Sequence, residues 1–368
     1  MKLSMNRKDL KKALLHVISA VAKKPQTPIL GCVLLTPQDN KIELYANNFQ
    51  TASSAFVPAQ IDNPQPCAIP GGQFLEIVGK LSGEIVVLET DAYNISIKSD
   101  AANFIVRGAS PDDFPLFGVI DTCCSFSIRA ALFKKLVRLT AFATFNGEKV
   151  NHIFSGINFN LKDSILTATA SNSRQIAVCS ATVDYSGDNA NFTVPLAGLN
   201  MARELDDDAE LIVSISKSAA EFDARLFTFK TKLIDGVFPT PDKIFADLPN
   251  CTFSATVDLK ELSSALSRID LIARSSFNRA VRLNFTDEGL EASAADTNGN
   301  TVVEHIDATT NGSFRAIYNI DNLRDLLSAA WINKIERITF SMSQPLTPLF
   351  ARFPGDDSFS YATSPIRN

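Results

Sequence analysis

The stretch VLLTPQDNKIELYANN, residues 33–48, recurs twice further along the chain, and this recurrence decides the fold. Residues 157–172 read INFNLKDSILTATASN, and residues 281–296 read VRLNFTDEGLEASAAD. The three stretches align without a gap, and their first residues lie 124 positions apart both times. Each contains an alternating apolar run, a polar turn with an aspartate at the seventh position, and a second alternating run. This pattern predicts a β-hairpin, or a pair of adjacent strands, in each stretch.

The flanks of the three predicted hairpins also repeat. A helical pattern precedes each of them, at residues 7–21, 129–142 and 259–272. In the first, apolar residues recur at three- and four-residue spacing and form one face: Leu10, Leu14, Val17, Ile18 and Val21. A second helix is expected after each hairpin, because a proline or a capping residue stands where it would start, near Pro70, Pro195 and Asn319.

The repeating unit is therefore helix, strands, helix, strands. The motifs Asp-Phe-Pro at 113–115 and Val-Phe-Pro at 237–239 close the first two units, again 124 residues apart. Internal repeats of this kind predict three similar domains. We expect an α+β fold of three repeated domains, 1–121, 122–249 and 250–368, each with two helices packed on antiparallel sheets.

The charge balance limits how the protein can meet nucleic acid. The 368-residue chain has a formal net charge of −5 at pH 7 and 45% hydrophobic residues. Proteins that bind DNA over their whole surface are usually basic, because neutralising phosphates drives that binding. Either DNA is not a partner, or the basic groups are confined to one face.

The cysteines and the N-terminus predict a cytoplasmic location. The six cysteines form no CxxC pair and no recognisable ligand spacing, which favours thiols in a reducing cytosol over a metal or redox site. Only Cys123 and Cys124 are adjacent. The first twenty residues read as an amphipathic helix rather than a signal peptide, and no stretch approaches eighteen apolar residues, so no membrane is expected.

No enzyme motif stands out. His16, His152 and His305 fall in different repeats, and neither a nucleophile elbow nor a glycine-rich phosphate loop is present. The sequence alone does not exclude a catalytic triad whose residues are brought together by folding. The run Asp206-Asp-Asp is more typical of a solvated turn than of a metal site. We expect a non-catalytic protein with no cofactor and no metal.

Three short motifs resemble one known family. Pro25-Gln-Thr-Pro-Ile-Leu-Gly follows the first helix, Phe229-Lys-Thr-Lys-Leu-Ile-Asp-Gly-Val-Phe-Pro closes the second unit, and Ser364-Pro-Ile-Arg-Asn ends the chain. With the threefold repeat, these motifs resemble the bacterial sliding clamps, the beta subunits of replicative DNA polymerases, over the entire length.

The resemblance implies a ring. In this family two three-domain chains close head to tail into a homodimer that encircles double-stranded DNA without reading its sequence. The ring tethers the polymerase catalytic subunit and other DNA-handling proteins that carry a clamp motif, and a clamp loader places it on DNA. The alternative is a clamp-like scaffold, or a divergent second clamp with a reduced partner set.

A ring is also compatible with the negative net charge of the chain, because only its inner surface needs to be basic. The candidate DNA-facing residues lie on or beside the repeated helices: Lys24, Arg7, Lys8, Lys11, Lys12, Lys134, Lys135, Arg138, Arg203 and Arg268. Their expected role is a loose, sequence-independent contact with phosphates. Each could instead belong to an ordinary solvated helix face.

The resemblance further implies an apolar pocket for partner peptides between domains two and three. Carried over position by position, it comprises Phe154, Ser171, Ser173, Arg174, Gln175, Ile176, Pro239, Lys243, Ile244, Asn319, Leu346, Pro348, Ala362, Thr363, Ser364, Pro365, Ile366 and Arg367. The sequence departs from the family here: Arg174 stands at a histidine position, Gln175 at an arginine, Ser364 at a methionine and Asn368 at a leucine. Losing the methionine predicts a shallower, more polar pocket on that side.

The ring-closing contact is carried over in the same way. Phe104 and Val106 belong to a late strand of domain one, and Leu271 and Ile272 end the first helix of domain three. Apolar residues at those places suit a contact between chains. Packing within each domain is the alternative.

Overall fold

The computed structural model describes residues 2–145, 153–185 and 187–367. His152 and Asn368, both named above, lie outside these ranges. Up to the start of the second repeat the elements are β1 (Lys2–Asn6), α1 (Arg7–Val17), β2 (Cys32–Gln38), β3 (Lys41–Asn47), β4 (Thr51–Asp62), β5 (Cys67–Pro70), α2 (Gly71–Lys80), β6 (Ile85–Asp91), β7 (Asn94–Ser99) and β8 (Ala102–Arg107).

The second repeat contains β9 (Cys124–Arg129), α3 (Ala130–Thr140), β10 (Gly156–Lys162), β11 (Ile165–Ser171), β12 (Gln175–Thr182), β13 (Ala190–Pro195), α4 (Leu196–Leu199), β14 (Glu210–Ile215), β15 (Ala219–Asp223) and β16 (Phe227–Lys232). The third contains α5 (Asp242–Phe245), β17 (Phe253–Asp258), α6 (Leu259–Ala273), β18 (Ala280–Thr286), β19 (Gly289–Ala295), β20 (Thr301–Ile306), β21 (Ala308–Thr310), β22 (Phe314–Asn319), α7 (Ile320–Ile332), β23 (Arg337–Met342), β24 (Leu349–Phe353) and β25 (Asp356–Thr363).

The chain forms two compact units that do not follow the repeats one to one. The first comprises residues 1–131 and 197–233, and the second comprises residues 132–196 and 234–368. In the first unit a twelve-stranded sheet runs β8-β7-β6-β1-β4-β16-β15-β14-β9, with β2, β3 and β5 attached beside it. The second unit has a nine-stranded sheet, β13-β10-β11-β12-β25-β24-β23-β17-β21, and a four-stranded sheet, β20-β19-β18-β22.

The three predicted hairpins are confirmed. They are the antiparallel pairs β2–β3, β10–β11 and β18–β19. The aspartate at the seventh position lies in the turn each time, and Asp39 and Asp163 adopt left-handed backbone with φ of 48° and 51°. Aspartate is one of the few residues that tolerate this conformation.

The helices differ from the prediction in their extent. α1 and α3 end at Val17 and Thr140, and a 3₁₀ turn replaces the last predicted turn of each. The second helix of repeat two is a single α-turn, α4, continued as a 3₁₀ helix to Glu204. Gly198 lies in α4, where an added Cβ would come within 2.6 Å of the Thr231 hydroxyl, so close packing on β16 fixes this residue as glycine.

The apolar face of α1 is buried as predicted, and it includes one histidine. His16 is 7% exposed and stacks on Phe227 with ring centroids 4.1 Å apart. Its Nδ1 has no hydrogen-bond partner within the described residues. Burial, assisted by the Lys12 ammonium and opposed by the Asp206 carboxylate, lowers the pKa of His16 to about 4. The imidazole is therefore neutral at pH 7.

This pKa predicts acid sensitivity of the first unit. The unfolded chain takes up a proton at His16 near pH 6.5 and the folded chain only near pH 4. The free energy of unfolding should therefore fall as the pH drops from 6.5 towards 4, by at most about 3 kcal/mol. His16→Phe should flatten this slope in denaturant unfolding measured across that range. His305→Gln alters an exposed histidine on β20 and should keep the slope; equal slopes in both variants would contradict the assignment.

Candidate functional site

A cavity of about 220 Å³ opens in the second unit and collects most of the predicted pocket residues. Twelve of the eighteen line it: Phe154, Ser171, Ser173, Arg174, Gln175, Ile176, Pro239, Ile244, Pro348, Ala362, Thr363 and Ser364. Phe238 and Thr240 line it too, although the sequence reading did not assign them to the pocket. Phe238 belongs to the Val-Phe-Pro motif at 237–239, so this motif could have indicated that it lines the pocket.

Pairing of β12 with β25 brings the distant parts of this cavity together. Ile176 lies opposite Ala362 in the register of these strands. Beyond the last pair, the Ser364 N–H donates to the Arg174 carbonyl at 2.9 Å. Side chains almost 190 positions apart in sequence therefore share one wall.

The hairpin loop that enters the cavity is held by its own side chains. Asn172 Oδ1 accepts hydrogen bonds from the N–H groups of Arg174 and Gln175, both at 3.0 Å. Ser171 Oγ accepts from the Ser173 N–H at 3.2 Å and donates to the Gln175 carbonyl at 2.9 Å. This network is an Asx turn, which fixes the loop without help from a ligand.

The cavity wall is largely apolar. Ile176, Phe350 and Ala362 form a buried cluster, and Phe154 meets Phe238 edge to face with centroids 5.4 Å apart. Such surfaces suit an aliphatic or aromatic side chain of a peptide. Polar groups accompany them, notably the exposed side chains of Ser173 and Ser364 and the Arg174 guanidinium.

A buried polar network lies behind this wall. The Tyr361 hydroxyl donates to Gln175 Oε1 at 2.7 Å and lies 3.1 Å from the Asn322 carbonyl, while Asn322 Nδ2 donates to Thr363 Oγ1 at 3.0 Å. Burial raises the pKa of Tyr361, so its hydroxyl keeps its proton. Gln175 is 3% exposed and is held by this network rather than free to reach outward.

Six predicted pocket residues do not line the cavity. Asn319 caps α7, accepting from Asp321 N–H and donating to the Asn278 carbonyl. The Ile366 N–H is bonded to the Ile317 carbonyl, which holds the chain end along β22. The remaining four lie outside the lining as well: Lys243, Leu346, Pro365 and Arg367.

The candidate DNA-facing residues fall into three groups, five exposed, two half-buried and three paired with carboxylates. Five have exposed side chains with no ion pair or side-chain hydrogen bond among the described residues: Lys8, Lys11, Lys24, Arg138 and Arg203. Arg7 is half-buried, and its Nε donates to the Gly83 carbonyl at 2.9 Å. Lys134 is half-buried on α3.

The remaining three cations are compensated inside their own units. Lys12 pairs with Asp206 at 2.8 Å, and Lys135 pairs with Asp356 at 2.9 Å. Arg268 makes a two-pronged contact with Glu304, both bonds 2.7 Å long, which lowers the pKa of Glu304. These carboxylates could not be predicted from local sequence patterns because they lie 36 to 221 positions away from their partners.

The predicted ring-closing residues lie beside the ends of two sheets. β8 is the last strand of the first unit's sheet, where Phe104 is 40% exposed and Ile105 is 72% exposed. Val106 is 4% exposed and packs into the unit's own core, so it can contribute backbone but little side chain to a contact. Leu271 is 57% exposed on α6, and Ile272 is half-buried.

The second unit has a similar sheet end. β20 is the last strand of the four-stranded sheet and exposes Val303. Phe277, just after α6, is 81% exposed. Exposed apolar side chains at an end strand are typical of a surface that pairs with another chain.

The described residues support neither a metal site, nor a disulfide between the adjacent cysteines, nor a membrane-spanning helix. Within 2–145, 153–185 and 187–367, no group of three or more histidine, cysteine, aspartate or glutamate side chains is placed to hold a metal ion. Cys123 and Cys124 form no disulfide within the described residues. No described helix is long and apolar enough to cross a membrane.

Comparison with known proteins matches the three repeats to three family models. The N-terminal domain of the DNA polymerase III beta subunit matches residues 1–118, the central domain matches 127–240, and the C-terminal domain matches 249–367. The chain belongs to the DNA polymerase III beta subunit family. Its three clamp domains and mixed helix and sheet structure confirm the predicted fold class.

Similar proteins match over the full length of this beta subunit. The beta sliding clamp of Bacillus subtilis is 27% identical and covers 100% of each chain, and that of Staphylococcus aureus is 24% identical and covers 95% of each. Among solved structures, the DnaN sliding clamp of Pseudomonas aeruginosa bound to griselimycin superposes with a TM-score of 0.92 at 22% identity, covering 100% of both chains. The Bacillus subtilis clamp structure gives 0.90 at 24% identity, covering 100% of this chain and 99% of the other.

Proposed function

We propose that this beta subunit is a non-catalytic sliding clamp. Two copies close head to tail around duplex DNA, and the ring tethers the replicative polymerase and so confers processivity. The observation that carries the proposal is the match of all three beta-subunit domain models, in order, along one chain. The proposed domains are 1–121, 122–249 and 250–368.

The proposed ring contact joins two different sheet ends. β8 of one copy, with Phe104, would meet β20 and the nearby Leu271 of the other. Contacts between two different surfaces of the same chain close into a ring when the rotation between copies is right. Strand addition supplies backbone hydrogen bonds there, and the exposed apolar side chains supply buried area.

The exposed basic residues on or beside the helices would face the encircled DNA. Lys8, Lys11, Lys24, Arg138 and Arg203 are exposed and uncompensated in the described residues, so their charge is available to phosphates. Contacts of this kind do not distinguish sequences, which suits sliding. The chain as a whole can stay acidic, at −5, because linkage around the DNA replaces tight binding.

The cavity of the second unit would bind short peptide segments of partner proteins. These partners are the polymerase catalytic subunit, the clamp loader and other proteins with a clamp-binding motif. We propose a cytoplasmic location for the clamp, and we expect neither a membrane nor a cofactor to take part.

A second candidate is a divergent clamp, or a clamp-like scaffold, with a reduced partner set. The departures at Arg174, Gln175 and Ser364 favour it, because all three line the cavity. Such a clamp would still form a ring but would take fewer peptides.

Retention on circular DNA tests the proposed function. Clamp loaded by its host loader onto nicked circular DNA should stay bound through gel filtration at high salt, because it is linked to the DNA and not held by charge. Cutting the circle once should release it. Equal retention on circular and linear DNA would contradict encirclement.

A further inference from the structure

The first unit contains a second cavity, of about 290 Å³, which the clamp function does not use. The linker 116–120 provides one wall, and the others are lined by Asn47, Phe49, Ser216, Ser218, Ala219 and Lys232. Several of its side chains are conspicuously exposed: Leu116 is 72% exposed and Val119 is fully exposed.

The 124-residue repeat relates this cavity to the peptide pocket. Four of its lining positions, shifted by 124, fall on lining positions of the pocket: 47 on 171, 49 on 173, 116 on 240 and 120 on 244. Both cavities are therefore built from the same parts, a hairpin loop and the linker that follows the Phe-Pro motif.

The hairpin loops agree in their hydrogen bonds. Asn48 Oδ1 accepts from the N–H groups of Gln50 and Thr51 at 3.1 and 2.8 Å. Asn172, at the equivalent position, makes the same two bonds to the amides two and three residues on. The residue after each asparagine, Phe49 or Ser173, has left-handed backbone with φ of 68° or 69°. The two hairpin loops therefore have the same backbone conformation and the same pair of side-chain hydrogen bonds.

The opposite wall is closed by the same strand contact. The Lys232 N–H, at the end of β16, donates to the Gln50 carbonyl at 2.9 Å. This contact corresponds to the bond from Ser364 to Arg174 in the peptide pocket, which is also 2.9 Å long. Lys232 thus occupies the place of Ser364.

The two cavities differ in where they carry charge. The cation of the peptide pocket is Arg174, on the hairpin loop. That of the second cavity is Lys232, on the opposite wall, with an exposed side chain that has no ion pair among the described residues. An ammonium beside Phe49, Leu116 and Ile120 complements a carboxylate attached to an apolar group.

We propose that this cavity binds a short extended peptide of a partner protein, with a large apolar side chain inside it and an aspartate or glutamate on Lys232. The linker lines the cavity over its whole length, from Leu116 to Ile120, so this wall is long enough to contact more than a single side chain of the ligand. The proposal does not depend on encirclement of DNA.

Two fluorescein-labelled pentapeptides test this, Gly-Asp-Leu-Phe-Gly and the reversed Gly-Phe-Leu-Asp-Gly, by fluorescence polarisation on the full chain. At least one should bind with a Kd below about 1 mM. Lys232→Glu should weaken this binding about tenfold or more, because repulsion replaces attraction, and Lys232→Arg should preserve it. Leu116→Glu should weaken it as well.

Matched variants separate the two cavities. Lys80→Glu and Leu226→Glu change an exposed lysine and an exposed leucine of the same unit that do not line the cavity, and should leave the affinity unchanged. Ile244→Glu disables the peptide pocket and should leave the Lys232-dependent component intact. If neither peptide responds to Lys232→Glu or Leu116→Glu, or neither binds below that Kd, the proposal is wrong, whatever the outcome for DNA retention.

Discussion

Phe104→Glu should convert the clamp from a dimer into monomers and abolish its retention on circular DNA. Phe104 is 40% exposed on the end strand β8, where the proposed ring contact would bury the rest of its ring. A carboxylate without a partner in an apolar interface costs about 3 kcal/mol or more at each of the two contacts of the ring, which weakens dimerisation roughly ten-thousandfold. Glu304, on β20, would add like-charge repulsion across the proposed contact.

Sedimentation velocity measures this directly. The unaltered chain should sediment at twice the 40.0 kDa chain mass at micromolar concentration, and the variant at the chain mass. Leu271→Glu, on the other proposed surface, should have the same effect without touching the fold of the first unit. Leu226→Glu, at a 70% exposed leucine that belongs to neither proposed surface, is the matched control and should remain dimeric. A stable dimer in both Phe104→Glu and Leu271→Glu would place the ring contact elsewhere.

The local structure was predictable because it depends on short-range periodicity. Alternation over seven residues determines a strand, and a turn-forming aspartate determines where it reverses, so β10 and β11 could be read from residues 157–172 alone. The one-turn α4 was the exception. Gly198 in this helix packs against Thr231, more than thirty residues away, and short-range periodicity carries no information about such a contact.

The joining of repeats was not predictable from periodicity. The pairs β4–β16 and β12–β25 cross from one repeat to the next, and their registers, such as Phe229 opposite Ser53, depend on the whole sheet. The same pairings place the ion pair Lys135–Asp356 within one unit. A pattern in one repeat carries no information about which distant carboxylate will neutralise its lysine.

The pocket was predicted in outline through family resemblance, and the structure refines it. Most of the transferred residues converge on one cavity, but the C-terminal Pro365 and Ile366 do not line it because the chain end lies along β22. Gln175 lines it while bonded to Tyr361, so its departure from the family's arginine is accommodated by a buried network. Such a network is invisible when residues are transferred one at a time.

Ile244→Glu should abolish binding of partner peptides. Ile244 lines the cavity and is 38% exposed, so the substitution places a charge in the apolar wall with little disturbance of the core. Losing the buried contact and desolvating a carboxylate should cost about 3 kcal/mol, a factor of roughly a hundred in Kd. Ile165→Glu, at a 47% exposed isoleucine on β11 outside the cavity, is the matched control.

The measurement is fluorescence polarisation with a labelled peptide from the clamp-binding segment of the host polymerase, paired with primer extension on circular template. Ile244→Glu should lose both peptide binding and long products while remaining a dimer, because β8 and β20 are untouched. Unchanged peptide affinity in Ile244→Glu would show that partners bind elsewhere.

Ser364→Met, in the same cavity, should increase the affinity for partner peptides instead of lowering it. The family resemblance has a methionine at this position, and its flexible apolar side chain would enlarge the wall that Ser364 leaves short. Burying those carbons against a peptide side chain should tighten binding by about 1 kcal/mol, roughly fivefold in Kd. A variant that binds more tightly cannot be explained by misfolding. A gain for Ser364→Met together with a loss for Ile244→Glu would therefore place the peptide on both walls of this cavity, whereas no gain would mean that this clamp's partners have adapted to the serine.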